Sequence, residues 1–269
     1  MVKKILSIAL WIVTGAALVT LFIFGRKWHL ETTLKDIQVT IEQPQATGFI
    51  NNDSLTSLIW TLYDVGNQTT DSTDMYQQPT IASIDMTKLR QMLDKNPWIA
   101  YSRAYIDLND TMYVTVKEYD PVVRVYNNDG YSVYVTRNGF VIPTSPHYTP
   151  HLIIASGNYN FDTLTRPSNI ADTIYQNTGL AEALALAKAI EKDKFLKENI
   201  GQIYKNTNNE YEVIVNNLPI QVILGDTCAV YNKLQRLKIM LEKYNGTVEI
   251  DDYKTMNLKY KNQIVCTKK

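Results

Sequence analysis

The longest apolar run of the chain lies at its start. Ile5 to Phe24 form twenty consecutive residues without a charged side chain. At about 1.5 Å of rise per residue, a helix of this length extends roughly 30 Å, which matches the hydrocarbon core of a bilayer. Basic residues flank the run on both sides: Lys3, Lys4, Arg26 and Lys27. The pattern predicts a transmembrane helix over residues 5–25, after a tail over residues 1–4 and before a linker over residues 26–36.

A cleaved signal peptide is the alternative interpretation of this run. The candidate cleavage site is the small-residue stretch at Gly15 to Ala17, and seven apolar or small residues continue past it. That makes the apolar region longer than a signal peptide requires, so the pattern favours an uncleaved anchor. The two flanks carry similar charge, and the positive-inside rule alone does not decide the orientation.

Strand and helix patterns alternate in the next part of the chain. Residues 37–41 alternate as a strand, and two helices are predicted, one after the N-cap residues 52–54 and one after Asp85. Pro97 ends the second helix, because proline cannot continue it. Between the helices, residues 66–80 are polar and predict a surface loop or insertion.

A β-hairpin follows the second helix. Strands are predicted from Ile99 to Asp107 and from Met112 to Tyr119, and the second strand alternates apolar and polar positions. Glu118 falls on the apolar side, shortly before Pro121. Two interpretations of Glu118 stay open. It is either a strand-end carboxylate bonded to a neighbouring amide, or a residue that ties the hairpin to the next domain and fixes the angle between them.

The remaining residues predict a second domain that is mainly β. Two helices interrupt the strands, over residues 180–196 and 229–244. The predicted strands cover residues 122–126, 131–136, 140–143, 151–157, 200–206, 210–216, 219–224, 247–250, 255–260 and 263–266. The predicted fold class is therefore α+β. It has an N-terminal transmembrane helix, a β-α-α-β-β domain over residues 37–120, and a mixed, mainly antiparallel β domain over residues 121–269 with helices on one side.

The charge balance and the cysteine content argue against a nucleic-acid-binding protein and against a fold held together by disulfides. Lys and Arg number 27, as do Asp and Glu, so no global field attracts nucleic acid. The only two cysteines, Cys228 and Cys266, are too few for a disulfide framework. They pair or stay free depending on the compartment. The basic residues Lys233, Arg236 and Lys238 on the last predicted helix are interpreted as a solvated face.

No catalytic or metal-binding constellation is found in the sequence. His147 and His151 lie four residues apart, but Pro150 between them prevents a helical ligand pair. A nucleophile elbow, a phosphate-cradling glycine loop and a dinucleotide fingerprint are all missing. We therefore predict a protein that is not an enzyme and uses no cofactor or metal.

Several motifs, in order, resemble the FtsQ/DivIB family of bacterial cell-division proteins. Residues 97–99 (PWI) and 116–121 (VKEYDP) resemble the family's "PWI … V.E..P" passage. Residues 131–143 are similar to the hairpin that opens the family's second domain, and residues 151–157 to the strand after it. Residues 256–260 (MNLKY) resemble the "(I/V)DLRY" strand, with Asn257 and Lys259 in place of Asp and Arg.

The resemblance carries expectations about architecture and location. It implies a POTRA-like first domain, a single membrane span with the N-terminus in the cytoplasm, and the bulk of the chain in the periplasm. It places the protein in the bacterial inner membrane, enriched at the division septum. It also marks four structural positions of the first domain and its junction with the second: Pro97, Trp98, Glu118 and Pro121.

The resemblance also implies a function, that of a non-catalytic scaffold linking early and late division proteins. The expected partners are FtsB/DivIC-like and FtsL-like single-span proteins, bound at the C-terminal strands by β-augmentation. The candidate partner-binding residues are Leu258, Lys259, Tyr260, Asn262 and Ile264. Lys259 stands where the family places a basic residue that faces a partner carboxylate. Tyr260 is either an aromatic anchor for the partner or a residue that packs across the strands.

Two other classes of protein remain as alternatives. One is an envelope-biogenesis factor that uses its POTRA-like unit to chaperone or bind envelope proteins. The other is a membrane-anchored cell-wall enzyme, which the missing catalytic constellation disfavours.

Overall fold

The structure is a computed structural model that describes residues 2–42, 48–64, 79–244 and 252–269. Side chains are described for these residues except 2–9, 26–31, 64 and 244. The chain forms two compact units. The first comprises residues 1–42 and 50–117, and the second comprises residues 43–49 and 118–269. The overall class is α+β, as predicted, with six α-helices among the described residues.

The first helix, α1, covers Val2–Glu31. Its apolar side chains from Leu10 to Phe24 are exposed. The predicted span begins at residue 5, and that part of it, together with the flanking Lys3, Lys4, Arg26 and Lys27, lies outside the described side chains. No helix within the described residues is long and apolar enough to cross a membrane.

The first unit contains two further helices and three strands in the predicted order β-α-α-β-β. The elements are β1 (Asp36–Glu42), α2 (Asn52–Asp64), α3 (Met86–Asp94), β2 (Ile99–Ile106) and β3 (Thr111–Glu118). The sheet order is β1-β3-β2, and β1 runs parallel to β3. Both outer strands, β1 and β2, are therefore edges of a three-stranded sheet. The predicted insertion over residues 66–80 lies almost entirely outside the described residues.

Side-chain caps define the starts of α2 and α3. Asp85 accepts hydrogen bonds from the backbone N–H groups of Thr87 and Lys88, which confirms it as the predicted N-cap of α3. At α2 the cap lies earlier than the sequence indicated. The side chain of Asn51 accepts a hydrogen bond from the N–H of Asp53, 2.9 Å away, so Asn52 is already helical.

The core of the first unit lies between its helices and one face of its sheet. The buried residues of β3 alternate as predicted: Met112, Val114 and Val116 are fully enclosed. They pack with apolar residues of both helices, namely Leu55, Ile59, Leu89 and Leu93. Burial of these side chains, each stabilising by roughly 1.5–3 kcal/mol, is what fixes the helices on the sheet.

The second unit is built on one large mixed sheet. Its strands are β4 (Pro121–Tyr126), β5 (Ser132–Thr136), β6 (Phe140–Pro143), β7 (Ile153–Gly157), β8 (Ser168–Asn169), β9 (Ile200–Lys205), β10 (Tyr211–Val215), β11 (Gln221–Gly225), β12 (Tyr253–Asn257) and β13 (Val265–Lys268). Their order in the sheet is β13-β12-β11-β10-β9-β7-β4-β5-β6-β8. The pairs β4–β7, β7–β9 and β11–β12 are parallel, and the other pairs are antiparallel. The strand predicted over residues 247–250 lies outside the described residues.

Three helices pack on one face of this sheet: α4 (Leu180–Glu191), α5 (Lys194–Asn199) and α6 (Val230–Tyr244). The sequence predicted one helix over residues 180–196, and this prediction is wrong. The Asp193 carboxylate accepts hydrogen bonds from the N–H groups of Phe195 and Leu196, which caps a new helix and divides the predicted one. The apolar stripe continues across the break, so periodicity alone did not indicate it.

Glycine is required at the end of β7. Gly157 has φ +105°, and a Cβ there would lie 2.1 Å from the carbonyl oxygen of Lys205 on β9. The neighbouring backbone of a paired strand cannot move away from such a contact, so the substitution combines strain with a clash.

We expect Gly157→Ala to lower the free energy of unfolding by more than about 3 kcal/mol. Gly130→Ala is the matched control, since Gly130 also has positive φ, +84°, but faces open space. It carries only the backbone strain, roughly 1–2 kcal/mol. Urea unfolding of the full-length protein, followed by circular dichroism, measures both. Equal losses would show that the close approach to β9 carries no energy.

Candidate functional site

The C-terminal edge of the large sheet is formed by β13. This strand pairs with β12 on one side, and no other described strand pairs with it. The predicted bounds of the last two strands, 255–260 and 263–266, are wrong, because β12 ends at Asn257 and β13 begins at Val265. All five candidate residues, Leu258, Lys259, Tyr260, Asn262 and Ile264, therefore lie in residues 258–264. We call this segment the terminal connection.

Arg236 of α6 holds the terminal connection in place. Its guanidinium donates hydrogen bonds to three carbonyl oxygens: Leu258 at 2.9 Å, Tyr260 at 2.7 Å and Gln263 at 2.5 Å. A planar group with five N–H donors and a permanent charge can satisfy several carbonyls at once. These carbonyls point at α6, and this is the physical reason why the segment leaves the strand ladder earlier than predicted.

Two local turns complete the terminal connection. The Asn257 side chain accepts a hydrogen bond from the N–H of Lys259 at 3.0 Å, an Asx turn that ends β12. Asn262 has φ +59°, a left-handed conformation that asparagine tolerates better than most residues. The chain turns at residues 261 and 262, which separate the two strands that the sequence predicted over residues 255–260 and 263–266.

The five candidate side chains divide into inward and outward groups. Leu258 is fully buried, and Ile264 packs against the same core. Tyr260 is 51% exposed, and Lys259 and Asn262 are exposed as well. Leu258 and Ile264 therefore anchor the terminal connection, while the other three present polar and aromatic groups to solvent.

Lys259 already has a carboxylate partner within the chain. Its ammonium forms an ion pair with Glu210, which lies just before β10. The hydrogen bond from Lys259 lowers the pKa of Glu210, and the same bond raises the pKa of Lys259. The stem of Lys259 packs over Gly225, where a Cβ would lie 2.6 Å from its Cγ. A carboxylate is thus the ligand that Lys259 binds in this geometry.

The interpretation of Lys233, Arg236 and Lys238 as a solvated face is wrong. Lys233 is buried and binds the Asp226 carboxylate at 2.6 Å, which lowers the pKa of Asp226. Lys238 binds Asp193 at 2.8 Å and so ties α6 to the start of α5. With Arg236, each of the three fixes α6 to a different segment.

The four positions that the resemblance marked as structural occupy defined places. Pro97 and Trp98 lie in the turn between α3 and β2, where the N–H of Trp98 donates to the Asn96 side chain at 3.0 Å. Glu118 ends β3 and is 1% exposed, and Pro121 begins β4 and is buried. Their role at a domain junction stays a prediction.

Both cysteines are free thiols in the structure. Cys228 is exposed, while Cys266 on β13 is half-buried, and burial raises the pKa of the Cys266 thiol. The side chain of Cys266 lies on the face of the sheet that the helices cover, because it packs against the hydrophobic core there.

Sequence analysis missed an apolar surface on the other face of the large sheet. Ile154, Tyr204 and Ile214 are each 39–45% exposed and lie on the neighbouring strands β7, β9 and β10. The register places Ile154 and Ile214 each opposite Gln202, so they lie in one row across β7, β9 and β10. Apolar residues at outward positions of alternating strands were the available signal.

The part of the chain that matches a known protein family lies within the second unit. The family model described as FtsQ/DivIB, C-terminal related, matches residues 120–267, which is more than half of the chain. The chain belongs to this family. The match ends within β13, so the FtsQ/DivIB-related region includes the terminal connection and Arg236. No curated protein matches the chain.

We expect Arg236→Lys to loosen the terminal connection, because a lysine donates from a single point and cannot reach three carbonyls. Backbone amides of residues 258–264 should exchange hydrogen at least about tenfold faster, equivalent to roughly 1.4 kcal/mol of local stability. Hydrogen exchange followed by mass spectrometry measures this.

Lys238→Met is the matched control on the same helix. It removes the ion pair with Asp193 but leaves the three carbonyl bonds of Arg236 intact. Exchange in residues 258–264 should stay at the wild-type rate. If Arg236→Lys also leaves it unchanged, the guanidinium does not hold the terminal connection.

Proposed function

We propose that this chain is a non-catalytic, single-span membrane scaffold of the bacterial division machinery. FtsQ/DivIB proteins act in cell division, and membership of the family supports a role in that process. The observation that carries the proposal is the position of β13 at the edge of the sheet, within the matched region, where no described strand pairs with its outer side. The scaffold joins early and late division proteins through its extracytoplasmic units.

A membrane anchor in α1 is part of this proposal. The uncharged run from Ile5 to Phe24 has the length of a span. Side chains such as Leu10, Trp11, Phe22 and Phe24 are 66–76% exposed in the isolated chain. A helix that exposes apolar side chains of this size along its length is stabilised by lipid rather than water. The anchor would hold the rest of the chain on the periplasmic side of the inner membrane.

Partner binding at the edge would follow the physics of β-augmentation. The outer backbone groups of β13 can pair with an added strand, which gives affinity, while side chains beside the strand set the register. We propose an FtsB/DivIC-like partner with its FtsL-like companion. The terminal connection lies beside β13, so Tyr260 would contact the partner as an aromatic anchor.

Lys259 would take part by exchange of carboxylates. In the free chain its ammonium is held by Glu210, which is itself about one third exposed at its side chain. An acidic residue of the partner could replace Glu210 on the Lys259 ammonium. The released Glu210 carboxylate would then be hydrated, at a small cost, because exposed pairs contribute little to stability. The internal pair would thus keep Lys259 extended and ready for a partner.

The first unit has an exposed strand edge of its own, at β2. This edge favours the second candidate function, that of an envelope-biogenesis factor. Its edge strand β2 exposes Tyr101 and Tyr105, with the Arg103 guanidinium 5.6 Å from the Tyr105 ring centre. An exposed edge with aromatic side chains suits capture of extended segments, as in an envelope-biogenesis factor with a POTRA-like unit. Depletion in growing cells separates the two functions, since loss of a division scaffold produces filaments of undivided cells.

We expect the wild-type protein, recovered from native membranes, to bring down a small single-span coiled-coil protein. The double variant Lys259→Glu/Tyr260→Ala should lose at least about 90% of it, because it reverses one contact charge and truncates the aromatic anchor. Circular dichroism checks that the variant stays folded.

The control variant changes the same residue types elsewhere. Lys192→Glu/Tyr231→Ala alters exposed residues of α4's end and of α6 and should recover the partner fully. Equal recovery by all three proteins would move the interface away from the terminal connection. Failure of the wild type to bring down any coiled-coil protein would contradict the scaffold proposal itself.

A further inference from the structure

A second candidate site lies within the large sheet, at the carboxyl ends of two parallel strands. Strands β7 and β9 are neighbours, and Gly157 at the end of β7 pairs with Lys205 at the end of β9. The chain crosses between them through α4 and α5, which brings the start of α4 to this same end of the sheet. In open sheets with parallel strands, ligands bind at the carboxyl ends of the strands.

Lys205 is a buried cation without a direct partner. The residue is only 5% exposed, and no described residue forms a hydrogen bond or ion pair with its ammonium. Its nearest defined contact is the ring of Tyr159, whose centre lies 5.5 Å from the ammonium nitrogen. Burial lowers the pKa of Lys205, since a charge removed from water needs compensation.

The ammonium of Lys205 is aimed at the N-terminus of α4. A Cβ on Gly179, the N-cap residue, would lie 2.7 Å from it, so only glycine leaves the room. Gly179 has no side chain to cap this twelve-residue helix, and among the described residues only the Thr178 hydroxyl accepts from its first turn, at 3.4 Å from the Leu180 nitrogen. The unpaired N–H groups of a first helical turn carry partial positive charge, and a cation beside them is the reverse of the usual preference. Two positive groups facing one space are the arrangement that binds an anion.

The ring of Tyr159 borders the same space as the Lys205 ammonium. The residue is fully buried, and its hydroxyl has no hydrogen-bond partner among the described residues. Its ring also borders Gly179, since a Cβ there would lie 3.1 Å from the Tyr159 ring. A buried hydroxyl without an acceptor is uncommon and needs an explanation.

Glu182 is the carboxylate whose charge reaches this cluster. It lies on the first turn of α4. Its charge partly offsets the burial that lowers the pKa of Lys205, and it adds to the burial that raises the pKa of Tyr159 and Tyr211. No described residue forms a hydrogen bond with its carboxylate, so Glu182 acts at a distance and leaves the donors of the cluster open. Either Glu182 alone compensates Lys205, or a further anion does so.

We propose that Lys205, Tyr159 and the first turn of α4 form a binding site for a small oxyanion, either a phosphate or a carboxylate group. The ammonium and the helix amides supply charge, and the phenol supplies an additional hydrogen bond. This proposal does not depend on the scaffold proposal.

The test is thermal unfolding of the full-length protein in detergent, at constant ionic strength, with inorganic phosphate or acetate replacing chloride. Circular dichroism gives the unfolding temperature, Tm. We expect one or both anions to raise Tm by about 3 °C at saturation. A rise with phosphate alone identifies a phosphate site, and a rise with acetate alone identifies a carboxylate site.

The variant Lys205→Met tests whether Lys205 binds an anion or only supports the fold. Methionine has a similar volume without the charge, so the variant should fold and should need at least about tenfold more anion for half of the Tm rise. Lys192→Met, at the other end of α4, is the matched control and should respond like the wild type. An anion response that survives in Lys205→Met, or no response in the wild type, overturns the proposal.

Glu182→Gln provides an independent measurement if Lys205→Met does not fold. Removing the nearby negative charge should strengthen anion binding, and the half-saturating concentration should fall about threefold or more. If Glu182 is instead the resident counter-ion, Glu182→Gln lowers Tm and neither anion restores it, which contradicts an external anion site.

Discussion

The C-terminal edge of the second unit depends on one guanidinium. Arg236 binds the carbonyl oxygens of Leu258, Tyr260 and Gln263 and so fixes to α6 the segment that follows the Asx turn of Asn257 and precedes β13. The other basic residues of α6 act in the same sense. Lys233 fixes the turn before the helix and Lys238 fixes α5, so the position of α6 is transmitted to the edge of the sheet.

A short edge strand can still bind a partner strand, while its small length limits aggregation. Exposed strands pair with any compatible chain, and natural proteins keep them short or flank them with charge. Here β13 covers only Val265–Lys268, and Lys254, Lys268 and Lys269 are exposed near it. The terminal connection adds Lys259 and Tyr260, whose side chains can favour binding of one partner over others. A well-anchored connection would reduce the entropy lost when a partner strand is added.

The sequence predicted features whose causes are local. Asp85 as a cap, the alternation of β3 and the turn at Asn262 all depend on neighbours within a few residues. Arg236 could not be assigned, because its partners are backbone carbonyls more than twenty residues away and carry no side-chain signal. The break at Asp193 was hidden for the opposite reason, since the apolar stripe continues through it. The burial of Lys205 was weakly indicated by the sequence, because Lys205 lies two residues after Ile203 on β9 and so points to the same buried face.

The central claim is that the outer side of β13 receives a partner strand. The most direct measurement places a photoreactive amino acid at Val265, which is 44% exposed on β13, and irradiates growing cells. Ile174, 67% exposed in another part of the second unit, is the comparison position. We expect a crosslink from Val265, but not from Ile174, to a small single-span coiled-coil protein. A crosslink to that protein from Ile174 and none from Val265 would contradict it.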